Sequence, residues 1–311
     1  MSELRDTLAS GSRLKSTRNE YKIEAVLGRG GFGITYRASY AIVDANIKAR
    51  ATVAIKEHFP MAFAERKDDA IQPVGSNGEM YQRSLSDFKS EAERLHKLGA
   101  KHPNIVGVNE VFASHNTAYY VMEFVDGRSL LSYVNEHGGL PYEEALQIML
   151  PVMGAVAYLH ANRVNHLDVK PDNIMLHAEN AEGSECTPVL IDFGLSMHYD
   201  SKGNLTRDRG TLGASDGYAP IEQYSGIRSF SPGADVYALA ATMLHVLTGK
   251  QPAEASQLKT ARVREQLEAL KIPSKAIDAI CNALAFSADD RTPNVLTFMD
   301  ELGIRDGDGG K

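Results

Sequence analysis

A chain of 311 residues with 43% apolar and 23% charged side chains has the size for two domains and the composition of a globular protein. Its formal charge of −7 excludes general binding to nucleic acid or to an anionic membrane surface, which needs clustered Lys and Arg. Two cysteines, Cys186 and Cys281, are too few for a disulfide framework and point to a reducing cytoplasm.

Met1 to Asn19 is polar, without periodicity and without the apolar core of a secretory signal, so a flexible segment is expected over residues 1–19. Tyr21 to Leu27 then alternates like a half-buried strand. Gly28-Arg29-Gly30-Gly31-Phe32-Gly33 follows and fits Gly-x-Gly-x-x-Gly. A dinucleotide-binding fold needs a helix directly after such glycines. Here Ile34-Thr35-Tyr36-Arg37-Ala38 is alternating and β-branched, so strand–turn–strand is the expectation. Bare backbone N–H groups in such a hairpin can approach phosphate oxygens.

Val53-Ala54-Ile55-Lys56 reads as a third strand, and a Lys in an apolar strand is costly to bury unless it is paired. A helix is read over Asp87 to Leu98, with Phe88, Ala92 and Leu95 on one stripe and Glu91 at its edge. Lys89 and Glu93 point elsewhere, toward solvent. Between these elements, His58 to Ser86 is longer and more polar than a strand–helix connection needs. Gly75-Ser76-Asn77-Gly78 marks a turn in it, and its purpose is not readable.

Ala118 to Phe124 reads as an apolar strand, and Val125-Asp126-Gly127-Arg128 as a turn. From Ser129 the chain is mainly helical, with a hydrophobic helix over Leu140 to Ala161. Its apolar stretch, Ala145 to Leu159, is interrupted by Gln147, Pro151 and Gly154. It is too short to span a bilayer, so a buried helix and no membrane segment are expected.

Val164 to Gly194 concentrates the polar chemistry. His166, Asp168, Lys170 and Asn173 share one loop, stiffened by Pro171 and followed by apolar Ile174-Met175-Leu176. A second apolar run, Val189-Leu190-Ile191, ends on Asp192. Two neighbouring strands would deliver Asn173 and Asp192 to one place, where hard oxygen ligands suit Mg²⁺. Asp168 then stands beside the metal as a carboxylate, with Lys170 as a cation near it. Together they look like a phosphoryl-transfer site. Leu195 to Tyr218 is polar and contains Arg207, Arg209 and Thr211; Gly217-Tyr218-Ala219-Pro220-Ile221-Glu222-Gln223 follows. Residues 264–302 read as amphipathic helices, and the Gly- and Asp-rich tail 305–311 as disordered. The ten histidines show no metal-ligand spacing.

In this order the motifs resemble the catalytic domain of eukaryotic-like (Hanks-type) bacterial serine/threonine protein kinases, over about residues 20 to 302. His166-Leu167-Asp168 with Asn173 is similar to the catalytic loop, and Asp192-Phe193-Gly194 to the metal-binding turn. Val53 to Lys56 is similar to the strand that carries the phosphate-contacting Lys, and His102-Pro103-Asn104-Ile105-Val106 to the segment after the helix. Gly217 to Gln223 is a shifted form of Ala-Pro-Glu.

The resemblance implies an α+β, bilobal protein-kinase fold within residues 20–304. A small antiparallel sheet with one main helix would occupy about 20–123, a hinge about 124–128, and a larger, mostly helical lobe about 129–304. It implies ATP with Mg²⁺ or Mn²⁺, and proteins with Ser or Thr acceptors as substrates. ATP would be held by Leu27, Gly28, Arg29, Gly30, Gly31, Phe32, Gly33, Ile34 and Thr35, by Ala54 and Lys56, by Met122, Glu123, Phe124 and Val125, and by Asp192. Glu91 would pair with Lys56, and Asn173 and Asp192 would hold the metal. Asp168 would orient the acceptor hydroxyl, Lys170 would balance charge on the γ-phosphate, and Ser215 would lie near both. Glu222 and Arg291 are implied as a buried structural pair, and Asp235 as the brace of the catalytic loop.

Two positions depart from the pattern. Thr35 replaces the Val that packs on adenine, and Leu167 replaces an Arg. Leu has no charge for an activation-loop phosphate to neutralise, so activity independent of phosphorylation at Thr211 is expected. Two other classes compete. A small-molecule phosphotransferase of related fold usually lacks the Gly-rich loop and the Ala-Pro-Glu-like segment, both present here. A pseudokinase scaffold predicts the loss of Lys56, Asp168 or Asp192, none of which is lost.

Overall fold

The computed structural model describes residues 6–44, 47–99, 101–178, 186–193, 197–198, 214–224 and 230–304. The chain divides into two compact units, Met1–Phe124 and Val125–Lys311.

The first unit holds β1 (Arg13–Lys15), β2 (Glu20–Gly30), β3 (Gly33–Asp44), β4 (Ile47–His58), β5 (Ala64–Lys67), β6 (Ala70–Pro73), α1 (Gly78–Gly99), β7 (Val108–Ser114) and β8 (Thr117–Glu123). Six of the strands form one sheet in the order β1-β2-β3-β4-β8-β7, with antiparallel pairing throughout. Alternation puts Tyr21, Ile23, Ile34, Tyr36, Ile55, Tyr119 and Val121 into one core. The glycine-rich stretch forms the expected strand–turn–strand, with Gly31-Phe32 as the turn. Segments after β4 tie that turn down, since the Phe59 and Met61 amides donate to the Phe32 and Gly31 carbonyls at 3.0 and 3.2 Å.

Two expectations are corrected in this unit. Residues 6–19 are not a free segment: β1 pairs with β2, and Leu8 and Leu14 are buried in the core. Two isolated leucines in polar chain make no periodic signal, so only the tertiary fold shows their partners. The helix expected from Asp87 begins at Gly78, and its added turns bury Tyr81, whose hydroxyl donates to the Asn116 carbonyl at 2.7 Å. Those turns are otherwise polar because their outer face meets water. The remainder of the long connection is the β5–β6 hairpin.

The second unit holds β9 (Gly127–Ser129), α2 (Leu130–His137), α3 (Tyr142–Ala161), β10 (Val164–Asn165), β11 (Ile174–Ala178), β12 (Cys186–Leu190), β13 (Met197–His198), α4 (Ile221–Tyr224), α5 (Gly233–Thr248), α6 (Thr260–Ala269), α7 (Ser274–Ala283) and α8 (Val295–Glu301). Gly127 and Arg128, read as a turn with the preceding residues, instead form β9 together with Ser129, and β9 pairs with β11. Gly127 makes that possible, because a Cβ there would meet the Leu176 carbonyl oxygen at 2.0 Å. Ser129 then caps α2, accepting from the Ser132 amide.

Helix α3 runs 20 residues and has the length and composition of a membrane span, a test that a buried core helix passes equally, and a buried helix is what the sequence leads us to expect here. Its Ala145, Ile148, Met149, Val152, Met153, Val156 and Leu159 side chains are buried inside the unit. Helix α5 is mainly apolar and buried along nearly its whole length, Asp235, Thr242 and His245 included, which makes these two helices the core of the unit.

Candidate active site

The residues singled out in the sequence fall into one set in each unit. In the first, Lys56 leaves the buried strand β4 and meets Glu91 of α1, Nζ to Oε1 at 3.9 Å. Both side chains are nearly buried, so each charge compensates the desolvation of the other. Tyr120 of β8 donates its hydroxyl to Glu91 Oε1 at 3.2 Å, and its ring lies 5.9 Å from Lys56 Nζ. Sequence reasoning did not single out Tyr120.

The glycines of the β2–β3 hairpin differ in what the fold demands of them. A Cβ on Gly33 would lie 2.6 Å from the Glu57 carbonyl oxygen, so the sheet itself excludes a side chain there. Around Gly28 and Gly31 nothing lies within 4 Å, and Gly30 is nearly as open. The fold has no steric need for glycine at those three positions. Leu27 and Phe32 beside them are half exposed, whereas Ile34 and Ala54 are buried. Thr35 stands opposite Lys56, and Ala54 opposite Met122. The Glu123 amide is committed to the Gly107 carbonyl at 3.0 Å, and Phe124 lies under the Arg37 guanidinium.

In the second unit Asp168 is the hub. Lys170 Nζ lies 3.0 Å from each of its carboxylate oxygens and donates to Ser215 Oγ at 2.7 Å. Ser215 Oγ in turn donates to Oδ1 at 2.6 Å. Asn173 Nδ2 donates to the Asp168 carbonyl at 2.8 Å and to Oδ2 at 2.9 Å. Charge-assisted bonds from three side chains therefore hold the carboxylate in one orientation. Both Asn173 amide hydrogens are used on Asp168, which turns its Oδ1 toward other partners.

Strand pairing brings Asp192 to the same place. Ile174 of β11 stands opposite Leu190 of β12, and the Ile191 amide donates to the Asn173 carbonyl at 2.8 Å. Asp192 has φ 56°, and Leu167 has φ 63°, conformations that L side chains adopt at a cost of about 1–2 kcal/mol. Val125 opens this unit just before β9.

Asp235 holds the loop backbone. Its Oδ2 accepts from the His166 amide at 2.8 Å and from His160 Nε2 at 2.8 Å, and Oδ1 accepts from the Leu167 amide at 2.7 Å. Burial alone would raise the pKa of this carboxyl, but the His160 bond and the neighbouring imidazoles hold it below the usual range. Burial pushes the pKa of the His166 imidazole down, against the pull of Asp235, Asp168 and Asp192. The Leu167 carbonyl accepts from Gln223 Nε2 at 3.0 Å, and Thr242 reaches the Val169 carbonyl at 3.3 Å. His160, Gln223 and Thr242 were missed in the sequence, because the contacts of Gln223 and Thr242 join residues 56 and 73 positions apart with no local pattern. Glu222 and Arg291 meet in a buried pair, with Nη1 to Oε1 at 2.6 Å.

Gly194, Arg207, Arg209, Thr211 and the tail 305–311 lie outside the described residues. Among the described residues no three His, Cys, Asp or Glu side chains cluster as a metal site. Asn173 and Asp192 carry hard oxygen atoms of the kind that suits Mg²⁺ together with phosphate and water.

Residues 21–302 match the protein kinase domain family. Serine/threonine-protein kinase PknA of a Nostoc species is 28% identical over 290 residues, covering 91% of this chain and 47% of that protein. Serine/threonine-protein kinase C of a Synechocystis species is 31% identical over 244 residues, covering 77% of this chain and 41% of that protein. The chain thus spans less than half the length of these two relatives. The solved structure of the apo form of PpkA-294 superimposes with a TM-score of 0.72 at 26% identity, covering 96% of this chain and 99% of that one.

Proposed function

The chain belongs to the protein kinase domain family, and we propose that it transfers the γ-phosphate of ATP to Ser and Thr hydroxyls of proteins, its own included. The observation that carries this reading is the Asp168 carboxylate, oriented by Lys170, Ser215 and Asn173. Phosphoryl transfer passes through a loose transition state, so orientation matters more than base strength. Asp168 orients the acceptor hydroxyl and takes its proton late. Lys170 places a cation beside the transferring group. Such a Lys two residues after the Asp favours Ser/Thr over Tyr acceptors, as does Ser215 bridging the two. Lys56, fixed by Glu91, contacts the α- and β-phosphates. The open glycines at 28, 30 and 31 let backbone amides approach phosphate oxygens.

Asn173 and Asp192 would hold Mg²⁺ or Mn²⁺, which when bound neutralises phosphate charge. Leu27, Ala54 and Met122 supply apolar surface for adenine, with the chain at Glu123 to Val125 beside it. A chain with only two cysteines suits a reducing compartment such as the cytoplasm.

Transfer of labelled γ-phosphate from Mg-ATP to the protein and to a generic Ser/Thr substrate tests the reading. Asp168→Asn is expected to lower transfer at least about 100-fold with unchanged melting. Equal transfer by the variant sinks the assignment. Phosphoamino-acid analysis separates Ser/Thr from Tyr. Transfer to choline or an aminoglycoside in place of protein would favour a small-molecule phosphotransferase, and ATP binding without any transfer a scaffold.

We further read Leu167 as removing the need for a loop phosphate. It is buried, and its backbone is held by Asp235 and Gln223 with no charge to neutralise. Thr211→Ala is expected to keep substrate phosphorylation within about twofold of wild type, since no side-chain charge there awaits a partner. Its abolition in a folded variant would overturn this.

A further inference from the structure

Strand β4 alternates, so Lys56 and His58 leave the same face, toward α1. On α1, Ser84, Phe88 and Glu91 follow at four- and three-residue spacing and share one face. Two polar contacts therefore join the same strand to the same helix. Lys56 meets Glu91 at 3.9 Å, and His58 Nε2 meets Ser84 Oγ at 2.8 Å. Between them lies Phe88, its ring 5.4 Å from His58 and 5.0 Å from Tyr120.

The hydrogen bonds set the His58 tautomer. Thr117 Oγ1 donates its single hydrogen to the His58 carbonyl at 2.7 Å, so toward His58 Nδ1, at 3.2 Å, it can only accept. Nδ1 carries the proton, Nε2 is the acceptor, and Ser84 is the donor. The ring is 1% exposed, and Lys89 on the same helix adds to burial in keeping it neutral. Glu57, between the two, faces away, where Tyr36 and Tyr119 donate to it and Arg66 of β5 pairs with it. The polar connection between β4 and Asp87 thus supplies a partner to each face of the strand next to Lys56: Arg66 on one and Ser84 on the other.

We propose that His58 and Ser84 are positioning residues that set the register of α1 against β4 and thereby hold Glu91 at Lys56. The proposal rests on the reading of Lys56 and Glu91 as the phosphate-positioning pair. Ser84 is only partly buried and loses one hydroxyl on substitution, so Ser84→Ala tests it without opening the core.

The measurement is steady-state transfer from ATP at varied ATP, in wild-type and Glu91→Gln backgrounds, with melting of each variant as the check on folding. Ser84→Ala is expected to lower kcat/KM for ATP about fivefold, the effect of one hydrogen bond, while KM for the protein substrate stays unchanged. In the Glu91→Gln background the same change is expected to cost less than about twofold, because the pair it positions is already broken. His58→Gln, which keeps an acceptor for Ser84, should retain activity, and His58→Leu should behave as Ser84→Ala. An equal loss in both backgrounds, or no loss from a folded Ser84→Ala, overturns the proposal. If Lys56→Met and Glu91→Gln transfer phosphate like wild type, the reading of the pair itself has failed, and the positioning role falls with it.

Discussion

At the scale of single residues, the catalytic loop depends on side chains that satisfy a strained backbone. Leu167 holds φ 63°, and both of its backbone polar groups end on side chains from elsewhere, the amide on Asp235 and the carbonyl on Gln223. Asp235 receives three donors on two oxygens. Asp235→Asn turns one acceptor into a donor, so at least one buried N–H loses its partner. Loss of about 3 kcal/mol of stability is expected, in the range for breaking a buried charged network. Urea unfolding measures it, and an unchanged midpoint would show that the brace is dispensable. Loop spacing brings Asp168, Lys170 and Asn173 together without tertiary information, while their roles and the reading of Ser215 came from the family resemblance.

At the scale of elements, the β2–β3 hairpin separates structural glycine from glycine kept for a ligand. Gly33 sits where β3 approaches the Glu57 carbonyl, so Gly33→Ala has to push strands apart. Overpacking of that kind costs about 1–3 kcal/mol. Gly30→Ala has open space and should leave melting within about 0.5 kcal/mol of wild type, as surface changes do. If phosphates approach the hairpin backbone, Gly30→Ala should still raise KM for ATP. Thermal melts and ATP titrations of both variants check the contrast, and a Gly30→Ala protein with normal KM would count against phosphate contact there. The same element scale explains the connection 58–86. Its hairpin and the early start of α1 were illegible because each buries only a residue or two, such as Ile71 and Tyr81, within otherwise polar sequence.

At the scale of the whole molecule, stability against pH carries a signature of the first unit. Burial first, and then the charge of Lys89, push the His58 imidazole from 6.5 down to about 3. Its folded pKa lies below its unfolded one, so the unfolded chain binds the extra proton between those values. Stability therefore falls as pH drops from about 6.5 toward 3, and the effect is absent above that window. At pH 4.5, two units below the unfolded value, the loss is about 3 kcal/mol. His58→Gln, which cannot titrate, should show a smaller loss of unfolding free energy between pH 7.5 and pH 4.5. Equal losses in the two proteins would place the acid sensitivity elsewhere.

Sequence alone determined the family and the α+β class, and it supplied the proposed chemistry of the site. Those signals are short-range: glycine spacing, an Asp, Lys and Asn within one loop, and apolar runs that end on charged residues. Even Glu91 was legible, from the family resemblance together with a helical phase that set it at the edge of the apolar stripe. Tertiary structure alone decided what stands behind these groups. Tyr120 on Glu91, Gln223 on Leu167, Ser84 on His58 and Leu8 against Tyr36 join elements distant in sequence. Buried polar groups need partners wherever the fold can bring them. A partner reached through space leaves no period or spacing in the chain.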